Sequence, residues 1–590
     1  MIKLIKRLNK KEIIYTFICL IFVLAQVWLD LSIPDYMSEI TKLVQTEGSA
    51  MSDILKQGAY MLACALGSLI SAIIVGYFAA SIAAKFSRDL RKDVFRKVEQ
   101  FGMEEVKSFS TSSLITRTTN DVMQVQMFIA IGLQLLIKAP IMAIWAITKI
   151  AGKAYWQWST ITVVAVGVLL SMIGLLVALV LPRFKKVQKL TDNLNRVTRE
   201  NLTGIRVIRA YNAEKYQENK FEKANEELKD TQLFNQRILA IMNPVMTSIM
   251  SGITLAIYFS GAYIIDAAQI IDKLTIFSDM VVFSSYAIQV VMSFMMLSMI
   301  FIIYPRASVS AQRIIEVLTT KIQIKDGKGK EQNSDKKEEG TVEFKNVSFK
   351  YPDAEEYMLE NISFKVNKGE TIAFIGSTGS GKSTLINLVP RFYDATEGEV
   401  LVDGINVKEY KIEELNNKLG YVPQKAVMFS STVAKNVAYG ENGKEKPNEE
   451  KIKQAIEIAQ GKEFVEQMKS KYNSHIAQGG TNISGGQKQR LAIARAIARE
   501  PEIYIFDDSF SALDYKTDYV LRKELKKHTK DVTNMIVAQR IGTIKDADKI
   551  VVLDEGKMVG YGTHKELLNN CEVYKEIAYS QLSKEELENG

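Results

Sequence analysis

The chain has 590 residues, 47% of them hydrophobic, with a formal charge of +8, three cysteines and three histidines. That length exceeds one ordinary core and implies at least two domains. Cys19 and Cys64 lie in apolar runs, Cys571 sits near the end and His475, His528 and His564 are scattered, which excludes a disulfide framework and a Cys/His metal spacing; the excess Lys and Arg gathers in particular loops, not one basic face, which argues against nucleic acid.

The basic start, Met1 to Lys11, precedes seventeen uncharged residues, Ile13–Leu29. That run is too long for a signal-peptide core and lacks a convincing cleavage site, so it is predicted to be a first membrane helix behind an amphipathic surface helix. Five further apolar runs follow, at about 59–84, 122–148, 154–181, 238–265 and 280–304. A bilayer core of about 30 Å needs about 20 such residues per helix, so six spans are expected. Among these runs only Lys138 is charged.

Residues 1–12, 85–121 and 182–237 together hold 26 Lys and Arg, whereas 30–58, 149–153 and 266–279 hold five. The positive-inside rule then places the termini and the two long loops in the cytoplasm. Those loops are rich in helix formers and predicted to continue the membrane helices. A transmembrane domain over 1–324 is expected, then a charged linker over 325–340 and a second domain over 341–590. The linker has no apolar periodicity. Beyond it, β-rich runs such as Val342–Phe349, Thr371–Phe374 and Ile503–Phe506 alternate with helical stretches, the pattern of an α/β domain.

The strand-like Thr371 to Ile375 enters Gly376, Ser377, Thr378, Gly379, Ser380, Gly381, Lys382, Ser383 and Thr384 and then a helical segment. This is a phosphate loop in its strand-loop-helix context. Its glycines let backbone N–H groups converge on phosphate, the helix N-terminus adds its dipole, Lys382 reaches the β- and γ-phosphates, and Ser383 offers a hydroxyl to Mg²⁺. A nucleoside triphosphatase also needs a carboxylate at the end of a second strand and a group that orients water. Ile503 to Phe506 followed by Asp507 and Asp508 supplies both acids.

Between them Ser484, Gly485, Gly486 and Gln487 open a helix, and here the sequence resembles the ATP-binding-cassette family. A hydroxyl, two glycines and a helix N-terminus form a second anion site. The resemblance covers nearly the whole chain and implies further roles: Tyr351 stacks on adenine, Gln424 contacts Mg²⁺ beside Asp507, and the loop ending at Asp514 crosses a dimer interface. It also implies that two cassettes sandwich ATP head to tail, so that one chain cannot complete a site. The loops around Gly204–Tyr211 and Phe101–Asp121 resemble those that carry cassette closure to the membrane helices. No peptidase domain precedes the first helix, which points away from peptide processing.

Two positions depart from the family. Asp508 stands where the family has Glu, one methylene longer, and Gln539 where it has His, which titrates near neutral pH as an amide cannot. The expectation is a site that binds ATP but hydrolyses it poorly, with a signature that completes the active site of a different subunit. This resembles the degenerate-site subunit of heterodimeric multidrug exporters. Such a protein would sit in the cell membrane and move amphipathic or hydrophobic small molecules outward by alternating access. A homodimeric lipid flippase and an ATP-gated channel or regulator are the alternatives. Met292, Met295, Met296 and Met299 are flexible side chains suited to varied ligands or to ordinary helix packing. Lys138 is a functional candidate unless it lies at the cytoplasmic level of a long helix.

Overall fold

The structure, a computed structural model, describes residues 2–46, 48–151, 155–329 and 339–582. The chain forms two compact units, one of residues 1–99 and 111–320, the other of residues 100–110 and 321–590.

The first unit is helical. A single turn, α1 (Ile2–Ile5), stands where an amphipathic surface helix is expected, with Leu4 buried. Then come α2 (Lys10–Gln45), α3 (Met51–Glu99), α5 (Thr111–Thr118), α6 (Asn120–Ala151), α7 (Trp156–Thr203), α8 (Ile205–Ala210), α9 (Glu214–Ala267) and α10 (Ile270–Thr319); α4 (Met103–Phe109) belongs to the second unit. Among the described residues, six helices are long and apolar enough to cross a membrane. Helix α2 starts where Asn9 and Glu12 form a capping box, with the Asn9 N–H donating to Glu12 Oε2 at 2.9 Å.

Helices α3, α7, α9 and α10 have 49, 48, 54 and 50 residues. At 1.5 Å per residue each is about 75 Å long, more than twice the apolar thickness, so the excess runs on through the basic stretches. Prolines 34, 140, 182, 244 and 305 lie inside five of the six long helices, 182 just past the membrane-length stretch of α7. Such prolines persist in membrane helices because neighbouring groups re-satisfy the freed carbonyls. Helices α2, α3, α6 and α10 pack as one group, and α7 and α9 pair and adjoin α10. Trp158, Phe283 and Tyr286 are fully buried in this unit's core.

The second unit is built on a ten-stranded sheet ordered β5-β4-β1-β2-β12-β11-β3-β10-β9-β6. Its strands are β1 (Val342–Phe349), β2 (Leu359–Val366), β3 (Thr371–Gly376), β4 (Glu397–Val402), β5 (Ile405–Asn406), β6 (Leu419–Val422), β9 (Ile503–Asp507), β10 (Thr533–Val537), β11 (Lys549–Asp554) and β12 (Lys557–Gly562), while β7 (Ser431–Thr432) and β8 (His475–Ile476) pair separately. Strands β11, β3, β10, β9 and β6 run parallel and are buried on both faces, so they read as continuous apolar runs. One apolar layer holds Phe344, Phe364 and Phe374, and the other holds Phe506, Leu521 and Tyr574.

Of the expected linker, residues 330–338 lie outside the described residues, as does residue 154 at the expected start of the fourth span. Residues 325–329 lie against the second unit. The Gly327 and Gly329 N–H groups donate to the Tyr410 and Glu409 carbonyls, and Arg391 Nη1 donates to the Lys325 carbonyl. Past the gap, the Gly340 N–H donates to Asp403, which with Glu502 holds the Nζ of the half-buried Lys418, each ion pair at 2.8 Å.

Candidate functional site: a nucleotide cradle at the ends of parallel strands

The residues singled out in the sequence converge because adjacent parallel strands end side by side. Strand β3 delivers the phosphate loop, β9 delivers Asp507 and Asp508, β10 leads to Gln539 and β6 to Gln424. In register, Val537 stands opposite both Phe374 and Asp507, and Val422 stands opposite Phe506. Ligands of open α/β sheets bind at such carboxyl ends.

The loop's backbone demands glycine at its two ends. Gly376 and Gly381 have φ of 155° and 94°. A Cβ on Gly376 would lie 2.0 Å from the Leu553 carbonyl oxygen, and one on Gly381 would lie 2.7 Å from Leu359 Cδ2. Lys382 opens helix α11 (Lys382–Asn387), and its Nζ donates to the carbonyls of Gly376 (2.9 Å) and Ser377 (2.6 Å) and to Ser380 Oγ (3.3 Å). Burial lowers its pKa, while Asp508 and Asp507 pull it back up.

Ser383 Oγ donates to Asp507 Oδ1 at 2.7 Å. Burial pushes the Asp507 carboxyl above its ordinary range, against the Ser383 hydrogen bond. Asp508 takes a left-handed φ of 46°, and its N–H donates to the Val537 carbonyl. Its Oδ2 accepts two amide bonds, from Gln539 Nε2 at 2.7 Å and from Gln424 Nε2 at 3.2 Å. The two residues that depart from the family are thus bonded to each other.

Tyr351 stands beside the loop with its hydroxyl 3.0 Å from Thr384 Oγ1 and its ring edge-on to Phe349 and Tyr393. Lys107, on α4, lies over that ring at 4.9 Å. Ser484 caps the helix Gly485–Ala498: its Oγ accepts from the Gln487 N–H, and Gln487 Oε1 accepts from the Ser484 N–H at 2.9 Å. Among the described residues, no hydrogen bond joins Ser484–Gln487 to the phosphate loop. Ser484 and Gly485 are exposed, and Gly486 is half-buried. Asp514 caps the helix Tyr515–His528, and the Thr517 N–H holds its carboxyl below the usual range.

Two participants carry no sequence signal. Gln581, near the end of the chain, donates to the Gln539 carbonyl at 2.7 Å and accepts from the Ile541 N–H at 2.8 Å, clamping the turn that presents Gln539. Gln489, a buried residue of the signature helix, donates to the Pro423 carbonyl and ties that helix to the Gln424 loop.

A phosphate loop, a strand-end acid and an Ser-Gly-Gly-Gln helix on this sheet, with six membrane-length helices, define a membrane transporter driven by nucleoside triphosphate. Residues 359–511 match the ABC transporter family and residues 16–304 the ABC transporter transmembrane region. An uncharacterized ABC transporter ATP-binding protein of Mycobacterium tuberculosis is 38% identical over 550 residues, covering 92% of this chain and 93% of that protein. An ATP-dependent lipid A-core flippase of Haemophilus influenzae is 30% identical over 555 residues, covering 91% and 90%. The solved structure of a bacterial Atm1-family ABC exporter with ATP bound superposes with a TM-score of 0.80 at 22% identity over 96% of this chain and 97% of that one.

This chain belongs to the ABC transporter family. It is a half-transporter with the exporter fold, a multi-pass membrane protein whose ATPase domain binds ATP and couples its hydrolysis to transport.

Proposed function

We propose that this chain is the degenerate-site subunit of a heterodimeric exporter that moves amphipathic or hydrophobic compounds out of the cytoplasm. One observation supports this reading above the others: Asp508 Oδ2 is held by two amide donors, Gln539 at 2.7 Å and Gln424 at 3.2 Å. A general base must reach the proton it abstracts, and its free lone pair must face the attacking water. Here the shorter carboxylate is turned onto two amides, neither of which takes up a proton at neutral pH.

Binding does not need those groups. Tyr351 offers a ring to adenine, and the phosphate-loop N–H groups and Lys382 receive the phosphates. The donor set fits Mg²⁺, which favours hard oxygen ligands: the Ser383 hydroxyl and Asp507 carboxylate already touch, and the Gln424 side chain, whose Nε2 donates to the adjacent Asp508, carries an amide oxygen that could join them. When bound, that ion would neutralise charge on the β- and γ-phosphates. The buried, charge-starved Asp507 carboxyl is suited to such a partner.

Ser484 and Gly485 are exposed and, among the described residues, the Ser484 side chain is hydrogen-bonded within its own helix cap, which leaves this face available to a second cassette. Tyr211, in the second long loop, is 80% exposed and would dock into that cassette. The excess of Lys and Arg in the long loops and at the N-terminus supports a cytoplasmic position for those loops and both termini. Nucleotide-driven pairing of the cassettes then turns the membrane helices outward, and hydrolysis at the partner's acidic site resets them.

The test is to purify the chain alone and with co-expressed candidate half-transporters and to measure phosphate release. Turnover that appears only in a mixed complex, and is lost on Ser484→Ala, supports the proposal. A homodimeric lipid flippase is the second reading, favoured by the likeness to lipid A-core flippases; it requires strong turnover by the lone chain.

A further inference from the structure

The membrane domain carries an ion pair that packing alone does not explain. Lys138 Nζ of α6 donates to Asp30 Oδ2 of α2 at 3.0 Å, and the two side chains are only 18% and 21% exposed. Ser68 of α3 donates to Asp30 Oδ1, and Gln289 Nε2 of α10 reaches the Asp30 carbonyl at 3.4 Å. All four helices of the group therefore contribute to one polar node. Counted from the cytoplasmic starts of their apolar runs, Asp30 is 17 and Lys138 is 16 residues in. Both lie about 25 Å deep, so the pair sits in the outer half of the membrane and not at the cytoplasmic level.

Replacing a buried ion pair by apolar residues of the same volume is often neutral for stability, and an ionisable side chain at this depth is a functional-site candidate by default. A second pair, Lys149 with Asp35 at 2.7 Å, differs in kind. It is about 40% exposed, and Tyr286 takes the other Asp35 oxygen at 2.6 Å.

At the inner node the bonding capacity is uneven. Both Asp30 carboxylate oxygens are taken. Lys138 has three donors and, among the described residues, uses one. Among the described residues, Gln289 Oε1 is buried without a partner and its Nε2 makes only the long 3.4 Å bond, so this amide is not locked. Lys138 thus keeps donors to spare beside an amide that can still turn its N–H toward a ligand.

We propose that Lys138, assisted by the Gln289 amide, is a specificity-determining site for the anionic headgroup of an amphipathic cargo, a phosphate or carboxylate monoanion, with Asp30 as the counter-charge that holds Lys138 between cargoes. The inference rests on the exporter reading for orientation. Its test uses no nucleotide, so its failure is distinguishable from failure of the degenerate-site reading.

The experiment measures binding of radiolabelled dodecyl phosphate to the full chain in phosphatidylcholine nanodiscs, with dodecyl maltoside and dodecyltrimethylammonium as probes of the same tail. Lys138→Met should weaken dodecyl phosphate at least about tenfold, the loss of one charge-assisted bond, and leave the maltoside unchanged. Asp30→Asn should tighten dodecyl phosphate several-fold, because it releases Lys138 from its competitor. The double variant removes both charges, so neither is left unpaired, and should fold and bind no better than Lys138→Met. A purely structural latch would shift both single variants in the same direction for every probe, and that result overturns the proposal. So does competition by inorganic phosphate as effective as that by unlabelled dodecyl phosphate, which would assign the site to a free anion.

Discussion

Replacing Asp508 with Glu and Gln539 with His should give this chain a working hydrolytic site. The Asp508 carboxylate accepts amide bonds of 2.7 and 3.2 Å. Hydrogen bonds to a charged group contribute about 1.5–3 kcal/mol each, so freeing the carboxylate to face water costs about 3–6 kcal/mol. At 1.4 kcal/mol per decade that is a rate deficit of about 10²–10⁴. Asp508→Glu adds the missing methylene, and Gln539→His replaces the shorter bond with a group that titrates near neutrality. The double variant, assayed for phosphate release in nanodiscs with and without partner, should gain about a hundredfold or more, and each single variant much less. Ser484→Ala should abolish the gain wherever two copies of this chain complete each other's sites. A double variant that binds ATP, pairs with a second cassette and turns over no faster than wild type would refute the reasoning.

Four further outcomes follow from particular contacts. Tyr351→Ala should weaken ATP binding by about 5- to 100-fold in a fluorescent-nucleotide titration, since stacking on a base contributes about 1–3 kcal/mol, whereas Tyr351→Phe, which loses only the hydroxyl near Thr384, should bind within about twofold of wild type. Asp507→Asn should raise the melting temperature of the nucleotide-free protein, because burial disfavours the charged carboxylate, and should remove the further rise that Mg-ATP gives wild type. Lys418→Met should cost about 3–5 kcal/mol in denaturant unfolding of the cassette, since it strands the Asp403 and Glu502 carboxylates. His564 is buried against the Tyr574 hydroxyl at 2.7 Å, and burial, aided by Lys545, lowers its pKa. The unfolded chain therefore takes up the proton first, so this residue's contribution is present above about pH 6.5 and lost as pH falls below it; His564→Gln should flatten that part of the melting-temperature profile.

Hydropathy made the six spans legible, because a bilayer imposes a run length that few other environments demand. It could not give their ends. Residues 85–99 and 182–203 are charged yet helical, held by propensity and by packing that leaves no hydropathy trace. The phosphate loop, Asp507, Asp508 and the Ser484 signature were legible because each occupies a fixed offset from a strand or helix end. The Gln539–Asp508 bond was not, since the residues are 31 positions apart and meet only because β9 and β10 are neighbours. Gln581 was silent for the same reason: its partner carbonyl is 42 positions away, and glutamine is common on helix surfaces. Lys138 was visible as an odd charge, but its depth depended on Asp30, 108 positions earlier and just past the edge of an apolar run.

The fate of ATP on the wild-type chain alone is the most direct test of the proposal that this cradle holds nucleotide without cleaving it. Purified protein is loaded with radiolabelled Mg-ATP, freed of excess and sampled over time for bound ATP and bound ADP. Near-stoichiometric ATP recovered intact after many minutes is the expected result. Rapid conversion to ADP by the lone chain, or failure to retain any nucleotide, would contradict it.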